Sequence, residues 1–113
     1  MMDMRTQGIA AATAYLERIG NTIVASGDEA PAGTDIICID GDTLVGALVI
    51  VRQRPEPEIT VPAETLDVAL AAVHGYWDTY RTQCRAIRVD VISILVLSED
   101  RALLRHYRGE RSR

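Results

Sequence analysis

The stretch that most constrains the fold is GTDIICIDGDTLVGALVIVR, residues 33–52. An Asp-Gly pair between two apolar segments is a strong signal for a β-hairpin with a tight turn. The second segment is almost continuously apolar from Leu44 to Val51, and a strand of that kind is covered on both faces. The sequence therefore predicts a hairpin whose second strand lies in the middle of a sheet. A lone carboxylate, Asp35, stands in its first strand.

Helical periodicity and further apolar runs surround this hairpin. They predict two helices, Thr6–Ile19 and Pro62–Tyr80. They also predict a short strand, Asn21–Ser26, and a long strand, Ala86–Leu97. A last short helix or turn is predicted over Asp100–Arg108. The order helix, three strands, helix, strand, helix predicts an α/β or α+β fold with a mixed sheet flanked by helices. At 113 residues the chain is expected to form a single domain, residues 1–113, with a core over about 6–109 and a frayed C-terminal tail.

Composition limits the possible roles. Hydrophobic residues make up 48% and charged residues 25%, the balance of a soluble globular protein. The net charge of -4 gives no general attraction to nucleic acid. No apolar run near the N-terminus suits a signal peptide or a membrane span, so we expect a cytoplasmic protein without membrane contact. Cys38 and Cys84 fit no metal or disulfide spacing and are expected to be reduced thiols.

Four local motifs occur in a fixed order along the chain. They are Gly8 with AYLERIG, TDIICIDGDTLV, RVDVISI and LLRHYRG, within residues 8–109. Together they resemble the YraN-like family of small bacterial proteins. That resemblance implies the restriction-endonuclease-like, or PD-(D/E)xK, fold that is shared with Holliday-junction resolvases.

The resemblance also implies where an active site would lie. In that superfamily an Asp and a Glu of the hairpin bind a divalent metal, and a Lys positions or activates water beside the phosphate. In this chain Asp35 occupies the position of the family's Asp, Leu48 that of the Glu and Ile50 that of the Lys. Two further acids of the family are replaced by Ile9 and Gly33. The resemblance therefore implies a degenerate site.

The apolar replacements predict a filled cleft in which Ile9, Leu48 and Ile50 contact one another or share neighbours. We expect no catalytic residue, no metal and no cofactor. A vestigial Asp35 would then need a partner because burial of a lone carboxylate is costly. Arg52 is the first candidate for that partner and Arg88 the second.

An active site remains the alternative. Asp35 would still bind Mg or Mn, Glu64 or Asp67 would supply a migrated second acid, and Arg52 would replace the lysine. Arginine stays protonated and could only stabilise charge. The second helix places Glu64 and Asp67 where typical family members carry a basic run, which opposes DNA at that flank.

Other polar residues have structural interpretations. Asp40 and Asp42 favour the hairpin turn, and Arg88 with Asp90 is expected to form a structural pair. His106 is expected to pack or to form a hydrogen bond.

Arginines are concentrated in the last third of the chain. Arg101, Arg105 and Arg108 are candidates for a weak, salt-sensitive contact with nucleic acid, and a solvated chain end is the structural interpretation. The leading functional hypothesis is a catalytically degenerate nuclease-like domain that binds a protein partner, a second copy of itself or, weakly, nucleic acid. The alternatives are a metal-dependent DNA endonuclease or junction resolvase and a structural orphan domain.

Overall fold

Three α-helices and five strands make up the computed structural model, which describes residues 3–54 and 60–112 apart from the side chain of Ser112. In chain order the elements are α1 (Met4–Arg18), β1 (Thr22–Ser26), β2 (Ile36–Asp40), β3 (Thr43–Arg52), α2 (Ala63–His74), α3 (Trp77–Tyr80), β4 (Ala86–Ser98) and β5 (Arg101–Ser112). A turn of 3-10 helix, Gly27–Glu29, follows β1. The chain thus has an α+β fold.

The strands form one mixed sheet in the order β1-β2-β3-β4-β5. β3 and β4 run parallel, and the other neighbouring strands run antiparallel. The predicted hairpin is confirmed, with Asp40 opposite Thr43 across a two-residue turn. Gly41 has a φ of 62°, which places glycine at the first central position of the turn, as in a type II′ turn. The predicted central position of β3 is also confirmed.

Burial on both faces explains why β3 is apolar throughout. Side chains alternate along a strand. Val45 and Val49 pack with Leu16 of α1 on one face, whereas Leu44 packs with Val73 of α2 on the other. We call these sides of the sheet the α1 face and the α2 face.

The C-terminal prediction was wrong. Of the predicted helix or turn over Asp100–Arg108, Asp100 lies in a turn and the other residues belong to β5, and the predicted frayed tail forms strand as far as Ser112. Leu104 and Tyr107 have a helix-like spacing, but Leu104 packs on the α1 face and Tyr107 on the α2 face. β5 also pairs with the outer edge of β4, whose backbone groups need partners.

The predicted second helix is interrupted. α2 ends at His74, and a separate short helix, α3, begins at Trp77. Beyond this break, Tyr76, Trp77 and Tyr80 pack against the apolar cluster around Val73. None of the helices within the described ranges combines the length and the apolar character needed to cross a membrane.

Close packing of α2 on the sheet depends on a glycine in β3. A Cβ atom at Gly46 would collide with the γ-methyl group of Val73 and lie 3.2 Å from that of Thr34. Val73 is fully buried, so it has little room to move away. The absence of a side chain at Gly46 therefore sets the distance between α2 and β3.

We expect Gly46→Ala to lower the free energy of unfolding by about 1–3 kcal/mol because it overpacks this contact. Chemical denaturation measures the change. In a Val73→Ala background the same substitution should cost at least about 0.5 kcal/mol less, since the colliding methyl groups are gone. Equal costs in both backgrounds would contradict the proposed contact.

Candidate functional site

Asp35 lies immediately before β2, and its carboxylate completes the hydrogen bonding of the sheet. Its backbone N–H donates to the carbonyl oxygen of Ala47 at 2.9 Å. Two residues further along β3, the N–H of Val49 donates to Asp35 Oδ2 at 2.7 Å. If β2 began earlier in the chain, a backbone carbonyl of β2 would accept the hydrogen bond from Val49. The Asp35 carboxylate takes the place of that carbonyl.

The second oxygen of Asp35 is held by Arg5, in the first turn of α1. Arg5 Nη2 forms an ion pair with Asp35 Oδ1, and Arg5 Nη1 donates to the carbonyl oxygen of Val49 at 3.2 Å. The Arg5 and Asp35 side chains thus satisfy both backbone groups of Val49. Only 11% of the Asp35 side chain is exposed, against 59% of Arg5.

This partner differs from the expected ones. Arg5 and Asp35 are 30 residues apart in sequence, and Arg5 precedes the predicted start of the first helix. Arg88, the second candidate, donates to Asp40 and Asp90 instead. No local pattern in the sequence marks Arg5, because its position depends on how α1 docks against the sheet.

The three apolar residues of the predicted cleft do not come together. Leu48 and Ile50 are half-buried and pack against the cluster on the α2 face that contains Leu66 and Val91. Ile9 packs against the cluster on the α1 face. α1 and α2 cover opposite faces of the sheet, so Ile9 cannot fill the same cleft.

The candidate substitute acids have other surroundings. Asp67 Oδ1 accepts a hydrogen bond from Arg111 Nε at 3.0 Å, and Glu64 is exposed in the first turn of α2. Within residues 3–54 and 60–112, no three side chains of His, Cys, Asp or Glu are grouped so as to hold a metal ion. Asp35 is therefore not part of any such group of three within these ranges.

A second polar cluster is buried around Asp90, in the middle of β4. The Asp90 side chain is 1% exposed. It accepts hydrogen bonds from Arg88 Nε at 2.8 Å, His106 Nε2 at 2.8 Å and the Gly109 N–H at 2.9 Å. Arg88 Nη2 also reaches Asp40 Oδ2 at 2.8 Å. The predicted Arg88–Asp90 pair is confirmed.

His106 connects this cluster to α1. Its Nδ1 lies 2.9 Å from the hydroxyl of Tyr15, and the two rings meet edge-on with centroids 5.5 Å apart. A neutral imidazole satisfies both contacts when Tyr15 donates to Nδ1 and the Nε2–H donates to Asp90. The expectation that His106 packs and hydrogen-bonds is confirmed.

Asp90 also stabilises an irregular part of β5. The pairing register of β4 with β5 shifts between Val89 and Val91, and Gly109 has a φ of 73° there. The N–H of Gly109, which a regular ladder would pair with backbone, donates to Asp90 instead. The carboxylate thus holds the bulge in place.

The local charges change the protonation behaviour of this region. Burial alone would raise the pKa of Asp90, but hydrogen bonds from His106, Arg88 and the Gly109 N–H outweigh it and lower the pKa below its ordinary value. Hydrogen bonding to Asp90 raises the pKa of Arg88. Asp90 and Arg88 therefore form a buried ion pair at neutral pH.

Both cysteines are free thiols, as the sequence predicted. Burial, with a smaller effect from the charge of Asp90, raises the pKa of Cys38 to about 12. Burial also raises the pKa of Cys84. Neither cysteine is therefore a thiolate nucleophile at neutral pH.

The arginines singled out in the sequence lie on β5. Arg101, Arg105 and Arg108 are exposed, and none of the three forms an ion pair with a carboxylate in the described part of the chain. Arg111, by contrast, is paired with Asp67. The structure therefore leaves cationic groups available along this strand.

We expect Asp35→Ala to lower the free energy of unfolding by about 1–3 kcal/mol, because it leaves the buried N–H of Val49 without an acceptor. Asp35→Asn keeps an acceptor and should cost less. Arg5→Ala should cost under about 1 kcal/mol, since Arg5 is largely exposed. Urea denaturation measures all three.

Asp28→Ala is the matched control, because Asp28 is an exposed carboxylate in the neighbouring turn. Its effect should stay within about 0.5 kcal/mol of zero. If Asp35→Ala were as stable as the Asp28 control, a structural role for the Asp35 carboxylate would be ruled out.

The lowered pKa of Asp90 predicts a pH dependence of stability. Its contribution is fully present above the unfolded-state pKa of about 4 and is lost as pH falls through the lower pKa of the folded state. Below about pH 4, the free energy of unfolding should therefore fall more steeply in the wild type than in Asp90→Asn. Denaturant titrations between pH 5 and pH 2 give the slopes. The exposed Asp78→Asn control should keep the wild-type slope, and equal slopes in all three proteins would contradict the prediction.

Comparison with known proteins gives the family. No family model matches the chain. The chain is 34% identical over 108 residues to a UPF0102 protein of Paenarthrobacter aurescens (strain TC1), and the match covers 90% of this chain and 88% of that protein. This identity across nearly the whole of both chains agrees with the resemblance to the YraN-like family that the four sequence motifs indicated. The chain belongs to the UPF0102, or YraN, family.

Proposed function

We propose that this chain is a binding or interaction domain that has lost the metal-dependent hydrolysis of nucleases with a restriction-endonuclease-like fold. The main support for the proposal is the set of hydrogen bonds that Asp35 accepts. Of the three positions of the hairpin metal site, Asp35 alone retains the expected residue. Its two carboxylate oxygens accept from the Val49 N–H and from Arg5. Asp35 therefore acts as a structural carboxylate.

The other two positions support the same conclusion. Leu48 and Ile50 stand where the second acid and the lysine would be, and both pack among apolar side chains. They offer a metal no oxygen ligand, and they offer a metal-bound water no cation. Hydrolysis would require groups to arrive from elsewhere.

The competing hypothesis is a metal-dependent endonuclease with a rearranged site. It requires Asp35 to exchange its bonds with Arg5 and Val49 for a metal. It also requires Glu64 or Asp67 to move towards that metal, and Asp67 is bonded to Arg111. The loss of the Asp35 bonds, and of the Arg111 bond where Asp67 moves, would cost contacts that the fold makes, so the geometry favours a binding role.

The proposal includes a cytoplasmic location. It is supported by the two free, buried thiols, Cys38 and Cys84, because proteins of oxidising compartments commonly pair their cysteines.

We expect the purified protein to leave plasmid, single-stranded and branched DNA intact with Mg²⁺ or Mn²⁺. Metal-activated water and an adjacent cation each contribute orders of magnitude to the rate, and without either, cleavage should not rise above background. Gel electrophoresis after long incubation measures the products.

Asp35→Asn is the control, because it removes the charge and keeps a hydrogen-bond acceptor for Val49. Cleavage by the wild type that disappears in Asp35→Asn, with the variant still folded by circular dichroism, would establish the enzyme and overturn the proposal. Cleavage that persists equally in both proteins would indicate a contaminating nuclease.

A further inference from the structure

β5 is the last strand of the sheet, and its outer edge has no strand partner within residues 3–54 and 60–112. Its inner edge pairs regularly with β4 from Ala102 to Tyr107. An edge strand of this kind presents a row of free backbone N–H and C=O groups. Another extended chain can pair with such a row and add a strand to the sheet.

The side chains of β5 add a specific pattern to this edge. Arg101, Leu103 and Arg105 occupy alternate positions and project from the same side of the strand. The register places Leu103 beside Leu95 and Arg105 beside Ser93, which assigns these two side chains to the α2 face. Arg101 pairs with Ser98 beyond a register shift, and its side follows from the alternation along β5. Leu103 is 54% exposed. One side of the free edge therefore presents two cations with an apolar residue between them.

The opposite side of β5 is already occupied. Leu104 and His106 project towards the α1 face, where Leu104 packs against the apolar cluster and His106 bonds to Tyr15 and Asp90. These contacts hold the strand in an extended conformation without using its outer edge. A binding partner would therefore meet a rigid strand.

We propose that the free edge of β5 binds an extended acidic peptide segment by strand addition, with carboxylates opposite Arg101 and Arg105 and an apolar side chain opposite Leu103. The inference deepens the proposed binding role by naming a class of partner, and it rests on that role. Opposite charges in cross-strand pairs stabilise an added strand. Both arginines lack a carboxylate partner in the described chain, so the segment would supply the missing counter-charges.

A second copy of β5 suits this edge less well. In an antiparallel pairing of two copies centred on Leu103, Arg101 of each copy would face Arg105 of the other, and facing like charges destabilise a sheet. The arginines thus disfavour self-association, because they repel a second copy of the strand, and they favour an acidic strand.

Nucleic acid also suits the edge less well. It would leave the backbone N–H and C=O row unpaired, because only another peptide chain continues a sheet. Glu99 and Asp100, in the turn before β5, and Glu110 near its end are exposed. These carboxylates would repel a continuous polyanion. A short acidic segment centred on Leu103 needs contact only with Arg101 and Arg105.

The test uses a fluorescein-labelled peptide with the core Glu-Thr-Val-Thr-Glu and fluorescence anisotropy at physiological ionic strength. We expect saturable binding to the wild-type protein. Arg101→Glu with Arg105→Glu should weaken it by about tenfold or more, since two attractive cross-strand pairs become repulsive. Arg81→Glu is the matched control, because Arg81 is an exposed arginine outside β5, and it should change the affinity by less than about twofold.

Two control peptides separate strand addition from simple charge attraction. A peptide with lysines in place of both glutamates should not bind. A peptide with prolines in place of both threonines and the valine keeps the charge but loses backbone N–H groups on both edges of the strand, including the edge that would face β5, so it should bind at least about tenfold more weakly. Hydrogen exchange should show added protection of β5 amides with the first peptide only.

Several results would overturn the inference. Equal binding of the glutamate and proline peptides would reduce the site to charge attraction. Tighter binding of a labelled DNA duplex, weakened by the same double substitution, would assign the surface to nucleic acid. A wild-type dimer in sedimentation that the double substitution dissociates would assign it to a second copy. Absence of peptide binding without DNA cleavage would remove this partner alone, whereas cleavage that depends on Asp35 would remove the proposed function itself.

Discussion

The fold depends on the complete hydrogen bonding of one buried charge. Asp90 lies in the middle of β4 with 1% of its side chain exposed, and an unpaired carboxylate in such a place would cost several kcal/mol. Its partners come from β4 itself and from β5, and His106 extends the network to Tyr15 of α1. Arg88 continues it to Asp40 at the end of β2. One carboxylate therefore ties three strands and a helix into a single arrangement.

The second well-buried carboxylate, Asp35, follows the same physical rule, since both of its oxygens accept hydrogen bonds. The bond to one oxygen comes from Val49 on the neighbouring strand, and the bond to the other comes from Arg5 on α1. Each of the two buried carboxylates is thus satisfied in part by a donor that lies far away in sequence.

Sequence reasoning succeeded where one strand carries its own signal. The continuous apolar run of β3 requires cover on both faces, so its central position could be predicted. It failed where position depends on distant parts of the chain. The contact of Arg5 with Asp35 depends on how α1 docks, and the separation of Ile9 from Leu48 depends on which face α1 covers. β5 was missed because its apolar spacing fits a helix. Its pairing with β4, which makes it a strand, could not be read from that spacing.

The position of Asp90 among its partners also bears on how the protein is made. A chain emerging from the ribosome exposes residue 90 well before residues 106–109, which supply two of its hydrogen-bond donors. Without those residues, a sheet built around β4 would enclose a carboxylate that keeps only its bonds to Arg88. The segments that precede β5 are therefore not expected to form a stable native domain on their own.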